Sequence, residues 1–291
     1  MTEEEQILME VLDCQRIDLY LNRFKLNPDQ KRTFRQMLER RAAGEPLQYI
    51  IGHCNFMGLK IFVDERVLIP RPETELLVEH IINISRLEMA GRPLRVLDLG
   101  TGSGNIAITL AKNIDRCEVT AVEISEGAID LARQNAIYHN VDRRIRFIHE
   151  DMMEFLKETG NQEEKYDIVV SNPPYISSFQ ISQLPVDVQY EPKLALDGGE
   201  DGLDFYRYII SFGYKFLRQE GLLIGEIADG QSSMIYSLFE YVQIFDNVQF
   251  YKDYTRTNRI VVARFKDKQN YLFDSGFKQN SIFTMESSWK N

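Results

Sequence analysis

Hydrophobic positions change their spacing twice along the chain. Over residues 1–52 they recur at helical intervals. Ile7, Leu8, Val11 and Leu12 form one apolar face, and Leu19, Leu21, Phe24 and Leu26 are expected to extend its core. Phe34, Met37 and Leu38 form another stripe before Arg40, Arg41 and Gly44 end the helix. A small helical domain is the expectation. Phe56 to Val63, with Gly58 at a turn and Asp64-Glu65 beyond, predicts a hairpin, and 53–75 reads as a connector. From Val67 onward strand-like and helix-like segments alternate, which predicts a βαβ sheet domain over 76–265. Leu156 to Lys165 is polar and reads as a surface loop. After Phe265 no period remains, and 266–291 reads as a mobile tail.

Four apolar runs end in residues that carry chemistry. Open α/β sheets place ligands outside the carboxyl ends of their strands. Leu94 to Leu99 is followed by Gly100-Thr101-Gly102-Ser103-Gly104 and then a helical pattern, Asn105 to Ala111. Glycines there let backbone approach a ligand closely. A dinucleotide fingerprint would need a third glycine at Asn105, so the shorter spacing fits a ligand with no pyrophosphate. S-adenosylmethionine is such a ligand, with Asp98 near its amino-acid portion.

Val119 to Glu123 is the next strand, and its terminal carboxylate lies about 20 residues past the glycines, where an acid can hold both ribose hydroxyls. A solvated surface glutamate is the alternative reading of Glu123. Ser125 fits an N-cap for the helix through Ala128, Leu131 and Ala132. Arg146 to Asp151 reads as a further strand. Asp151 suits an adenine amino group with Met152 covering the ring, and it equally suits the cap of a helix beginning near Met153. The run Ile168-Val169-Val170-Ser171 leads into Asn172-Pro173-Pro174-Tyr175. Two prolines remove two backbone donors and fix two φ angles. An amide, rigid carbonyls and an aromatic face suit the grip of a planar NH2 group.

Composition narrows the classes. The chain has 291 residues and a formal net charge of −10. Duplex nucleic acid is bound largely through Lys and Arg on phosphates, so the acidic balance speaks against a DNA partner without excluding a local basic patch. Cys14, Cys54 and Cys117 are widely spaced and read as reduced thiols. His53, His80, His139 and His149 lack ligand spacing, so structural roles and no metal are expected. No apolar run approaches a bilayer span, and the acidic start, Met1 to Glu5, is neither secretory signal nor transit peptide. A cytoplasmic protein without a membrane partner is expected, with a monomer as the default.

Taken in order, the glycine loop, Glu123, Asp151 and Asn-Pro-Pro-Tyr resemble the seven-stranded S-adenosylmethionine-dependent methyltransferases, and the tetrapeptide resembles their amino-group methylating branch. Further stretches narrow this: Pro46 to Gly52, Val67 to Glu75, Tyr190-Glu191-Pro192 and Ala195 to Tyr206. They are similar to the peptide chain release factor N5-glutamine methyltransferases. The similarity runs from residue 5 to residue 265. The resemblance implies an α/β fold: a seven-stranded Rossmann-like sheet domain preceded by a small helical domain and a hairpin connector. It implies S-adenosyl-L-methionine as cofactor, S-adenosyl-L-homocysteine as product, and the glutamine of the Gly-Gly-Gln motif in class I release factors as acceptor. Asn172, Pro173, Pro174 and Tyr175 are then the catalytic residues. Asp98, Gly100, Thr101, Gly102, Ser103, Gly104, Glu123, Asp151, Met152 and Asn172 hold the cofactor. Arg71 and Glu73 line the substrate entry, and the helical domain docks the protein substrate.

Some of these stretches have plainer readings. Thr74 fits a cap for a helix through Leu76-Leu77-Val78, and the glycines of Asp197 to Gly202 fit simple turns. The chain also departs from the family. Glu123 stands where aspartate is usual, Ala228 stands where glycine is common, and Asp253 to Arg259 lacks a glycine often found there. A nucleic-acid amino-methyltransferase and a non-catalytic cofactor-binding protein remain alternatives at this point.

Overall fold

A computed structural model describes residues 1–21, 24–89, 91–157 and 164–266. Residues 267–291 of the tail expected at 266–291, and the part of the expected surface loop at 158–163, lie outside the described residues. Four helices open the chain: α1 (Glu3–Leu12), α2 (Arg16–Leu21), α3 (Pro28–Ala42) and α4 (Leu47–Ile51). Capping boxes start two of them, Thr2 with Glu5 and Asn27 with Gln30. Ile7, Met37, Leu47 and Ile50 form their small core. Leu21 and Phe24 do not join it: they are 74% and 41% exposed. The six-residue α2 is too short to commit its apolar residues to one face.

A hairpin follows, β1 (His53–Phe56) with β2 (Leu59–Phe62). Met57 and Gly58 both take positive φ, 48° and 79°, as a two-residue primed turn demands. The hairpin is more than a connector. Phe56 and Ile61 belong to the same core as the sheet residues Val96 and Ile168. The remaining elements are α5 (Pro72–Glu88), β3 (Leu94–Leu99), α6 (Asn105–Asn113), β4 (Cys117–Glu123), α7 (Glu126–Tyr138), β5 (Ile145–His149), α8 (Met152–Lys157), β6 (Tyr166–Ser171), α9 (Ser178–Ile181), α10 (Asp204–Phe212), β7 (Leu217–Glu226), α11 (Ser232–Val242), β8 (Phe245–Lys252) and β9 (Asn258–Phe265).

Seven strands make one sheet in the order β5-β4-β3-β6-β7-β9-β8. The first five in that order pair in parallel, whereas β9 runs antiparallel to both β7 and β8. Helices cover both faces, so the central strands are apolar on both sides. Val96, Ile168, Val170, Leu222 and Ile224 enter one core, and Leu97, Leu99, Val169 and Leu223 enter the other. The alternation of strand side chains produces this division. The order reverses between β3 and β6, which places the switch point, and hence the ligand crevice, between their carboxyl ends. Among the described residues, no helix is long and apolar enough to cross a membrane.

Asn135 of α7 fastens the hairpin to the sheet. Its Oδ1 accepts from the Phe62 N–H at 2.8 Å, and its Nδ2 donates to the carbonyls of Phe62 and Ser103. The side chain is fully buried. Truncation would leave these partners without it in a dry site, so Asn135→Ala is expected to cost about 2 kcal/mol. The check is a lower denaturant midpoint at unchanged m-value; a midpoint equal to the parent's would refute the role.

Candidate active site

The two chemistry-bearing loops leave adjacent strands at the switch point. Leu99 of β3 lies in register with Ser171 of β6, and the Ser171 hydroxyl donates to the Leu99 carbonyl at 2.7 Å. Gly100 and Asn172 are the next residues along each strand, and both line one cleft. Gly102, Glu123, Asp151 and Met152 line it too, as do Thr101 and Ser103. Both loop glycines take left-handed φ, Gly100 at 74° and Gly102 at 54°. A Cβ on Gly100 would meet only the movable Met152 methyl at 2.8 Å, whereas Gly102 would meet nothing within 4 Å. The second position leaves bare backbone beside open space. Gly104, at φ 80°, starts α6 against Ile108 and Ala132.

Glu123 folds over this loop. One carboxylate oxygen accepts from the Gly102 N–H at 2.9 Å, and the other from the Ser125 N–H at 3.0 Å. Each oxygen keeps a lone pair for a further donor, so the longer side chain retains the capacity to bind a diol. Ser125 caps α7 through the Ala128 N–H. Asp151 caps α8, accepting from the Met153 N–H at 2.7 Å, and it also lines the cleft. The preceding strand ends at His149, short of Asp151.

Asp98 is placed differently. It is fully buried behind the glycine loop and is absent from the cleft lining. Its Oδ2 accepts from the Thr101 hydroxyl at 2.6 Å, while its Oδ1 has no hydrogen-bond partner of good geometry among the described residues. Burial pushes this carboxyl up to about 7 against the pull of Thr101, and nearby Glu123 adds to the rise. The Glu123 carboxylate beside the bare backbone of Gly102 fits a cofactor bearing a ribose.

Asn172-Pro173-Pro174-Tyr175 is held from three sides. The Asn172 amide donates through Nδ2 to the Thr74 hydroxyl at 3.1 Å. Thr74 donates to Glu226 Oε2 at 2.6 Å, and the Tyr175 hydroxyl donates to Glu226 Oε1 at 3.1 Å. Gln231 Nε2 bridges the carbonyls of Tyr175 and Gly202. On the remaining side, a Cβ on Gly198 would stand 2.8 Å from both the Pro174 carbonyl oxygen and Tyr175 Cα. The glycines between Asp197 and Gly202 are thus more than turns, since they let one backbone lie directly on another.

Thr74 corrects a sequence reading. Helix α5 starts at Pro72 with Arg71 as its N-cap and no side-chain cap, so Thr74 falls inside the first turn, 1% exposed. Its hydroxyl serves Asn172 and Glu226 instead. Glu75 supports the hairpin turn, accepting from the Met57 N–H at 2.7 Å. Arg71 pairs with Glu191, which is buried and also accepts from the Ile69 N–H at 3.1 Å. The Tyr190-Glu191-Pro192 stretch therefore clamps the Pro70-Arg71-Pro72 segment, and the Tyr190 hydroxyl reaches the Ala43 carbonyl of the helical region at 3.2 Å. Neither Arg71 nor Glu73 lines the cleft; Pro70 and Thr74 of the same segment do. Thr74, Gln231 and Glu226 were not singled out as site residues from the sequence. Glu226 ends a buried strand, the same signal that singled out Glu123.

The late loop without a glycine closes by another route. Arg256 itself takes φ 68°, and Asp253 accepts from the N–H groups of Thr255 and Thr257. The Thr255 hydroxyl, above all, holds the Asp253 carboxyl down at about 2.

Comparison with known proteins places both parts of the chain. The family described as "PrmC N-terminal domain" matches residues 2–52, and that described as "Methyltransferase small domain" matches residues 72–185. The chain is 37% identical over 263 residues to a release factor glutamine methyltransferase of Thermodesulfovibrio yellowstonii, covering 90% of this chain and 91% of that protein. It is 42% identical over 239 residues to one of Geobacter sulfurreducens, covering 81% and 80%. Among solved structures, the hMettl16 catalytic domain in complex with a MAT2A 3'UTR hairpin aligns at a TM-score of 0.55 and 17% identity, over 72% of this chain and 77% of that one. That likeness bears on the fold alone.

Proposed function

The chain belongs to the release factor glutamine methyltransferase family, and on that premise we propose that it methylates the side-chain amide nitrogen, N5, of the glutamine in the Gly-Gly-Gln motif of class I peptide chain release factors. Membership makes it an S-adenosylmethionine-dependent protein glutamine methyltransferase. The observation that carries the finer reading is the orientation of Asn172. Its NH2 is committed to Thr74, so its oxygen is left for a donor in the cleft.

When bound, S-adenosylmethionine would supply an electrophilic methyl on a sulfonium, with S-adenosylhomocysteine as the leaving group. Glu123 would hold the ribose hydroxyls and Asp151 the adenine amino group, with Met152 over the ring. The backbone of Gly100 to Gly104, with Thr101 and Ser103, would lie against the cofactor, and Asp98 would support its amino-acid portion. The nitrogen of a carboxamide is a poor nucleophile because its lone pair is delocalised. Asn172 Oδ1 and the Pro173 carbonyl accept its two hydrogens, aim the nitrogen at the methyl and favour the positive charge that builds on it. Pro174 keeps the segment rigid. The Tyr175 ring packs on the amide plane and offers its face to the developing cation. An N-alkylated amide cation is acidic enough to lose its proton to water, so no general base is needed.

Residues 1–52 and the Arg71–Glu73 segment dock the protein substrate. A lone glutamine has too little surface to be selected. Residues 53–75 join that region to the catalytic unit, 76–265, and the protein works in the cytoplasm as a monomer, without a metal, DNA or membrane partner.

Replacing Glu123 by Ala removes two charge-assisted loop contacts as well as the diol acceptor. The Kd for S-adenosylmethionine is expected to rise about 100-fold in calorimetric titration. An unchanged Kd would remove Glu123 from the cofactor site. The function itself is tested with methyl-labelled cofactor and three acceptors: a release factor, its Gln-to-Ala variant, and DNA. Label should enter the parent factor alone; label in the variant or DNA but not the parent overturns the proposal.

A further inference from the structure

Glu226 lies outside the cleft, yet both functional ends of the tetrapeptide lead to it. It is 1% exposed at the carboxyl end of β7; its carboxylate accepts from Thr74, which lines the cleft, and from Tyr175, which does not. An ionised carboxylate accepts hydrogen bonds and cannot donate them. With Glu226 ionised, Thr74 must donate to one oxygen and Tyr175 to the other. Thr74 then has only lone pairs left for Asn172, so it receives the Asn172 NH2 and turns Oδ1 the other way. The polarity of the whole chain of bonds follows from one charge.

We propose that the Glu226 carboxylate is the positioning residue that fixes the orientation of the Asn172 amide, through Thr74, and of the Tyr175 ring. The inference rests on the reading of Asn172 Oδ1 as the acceptor for the substrate amide. A protonated Glu226 would carry one donor. Donating to Thr74, it would free the Thr74 hydrogen to meet Asn172 Oδ1, and the amide would turn its NH2 toward the acceptor site. Donating to Tyr175, it would displace the phenol hydrogen and loosen the hold on the ring. The first change puts a donor where the reaction needs an acceptor.

The surroundings set when this happens. Burial pushes the Glu226 carboxyl up to about 7, against the bonds from Thr74 and Tyr175 and the charge of Arg259, with Glu73 adding to the rise. Arg259 comes from β9, where it also holds Asp253 and the Ile227 carbonyl. Tyr206, from α10, donates to the Glu226 backbone carbonyl and leaves the carboxylate to its two partners.

The test compares Glu226→Gln, Thr74→Val, Thr74→Ser and Asn172→Ala in the full chain, with a release factor as substrate. A glutamine at 226 always presents an NH2 to one of the two partners. Glu226→Gln should lower kcat about 100-fold with KM and cofactor Kd held within about threefold. The parent's kcat should fall as pH drops through about 7, and Glu226→Gln should lack that limb. Thr74→Val should reproduce the loss and Thr74→Ser should rescue it, which keeps the test intact if Glu226→Gln does not fold. A readout independent of activity is thermal unfolding. Glu226 binds its proton more tightly when folded, so stability of the parent relative to Glu226→Gln should decline between the usual glutamate range and about 7. Parental kcat and an unchanged acid limb in Glu226→Gln, or parental kcat in Thr74→Val, overturns the proposal. Full turnover in Asn172→Ala would instead overturn the reading on which it rests.

Discussion

Asn172→Ala is expected to lower turnover about a thousandfold while the Kd for S-adenosylmethionine stays within about threefold of the parent. The reasons lie in what the side chain does and does not touch. Its Nδ2 is spent on Thr74, and no hydrogen bond from the described residues reaches its oxygen. The glycine loop, Glu123 and Asp151 line other parts of the cleft and survive the change. Truncation leaves the Pro173 carbonyl as the sole acceptor for two amide hydrogens, so the nitrogen is free to rotate away from the methyl. A single preorganised hydrogen bond of this kind is worth about 100- to 1000-fold, and misalignment adds to it. Single-turnover rates at saturating cofactor separate the two quantities. A large rise in Kd, with the rate per bound complex intact, would make Asn172 a binding residue only.

Gly202→Ala is expected to destabilise the protein by about 4 kcal/mol, lowering Tm by roughly 10 °C. Gly202 takes φ 78°, which costs an alanine about 1–2 kcal/mol. The new methyl would run into the Tyr175 carbonyl and stand 2.9 Å from Gln231 Nε2. Overpacking against fixed neighbours costs about 1–3 kcal/mol more. Backbone cannot swing aside as a flexible side chain can, and the segment that must shift is the one holding the Tyr175 ring. Turnover of the folded fraction should therefore fall along with Tm. Gly230 supplies the control: it takes φ 81° but has nothing within 4 Å of an added Cβ. Its alanine variant should lose only the backbone part, about 1 kcal/mol. Equal Tm values for the two variants would show that the contact with Tyr175 does not matter.

The parts legible in the sequence are those in which one local stretch carries its own chemistry. The glycine loop, the strand-end Glu123 and the double proline after β6 each announce a strand terminus within a few residues. The sheet then collects them at its switch point because parallel strands all end on one side. What stayed hidden depends on contacts between distant segments. Thr74 and Glu226 are 152 positions apart, and Thr74 and Asn172 are 98 apart. No periodicity links them. Thr74 resembled a cap because threonine often is one; the prolines start the helix two residues earlier and turn that hydroxyl inward. Gly198 and Gly202 looked like turn glycines because a close backbone approach leaves the same mark in a sequence as a turn. Leu21 and Phe24 looked like core because apolar spacing shows a face but not whether anything covers it.

The most direct test of the account locates the transferred methyl. A class I release factor is incubated with the enzyme and S-adenosylmethionine, and the digested product is sequenced by tandem mass spectrometry. The product should carry one added methyl, on the side-chain amide of the Gly-Gly-Gln glutamine, and that methyl should be missing when Asn172 is replaced by Ala. A methyl on any other residue, or one that persists undiminished in Asn172→Ala, contradicts the account.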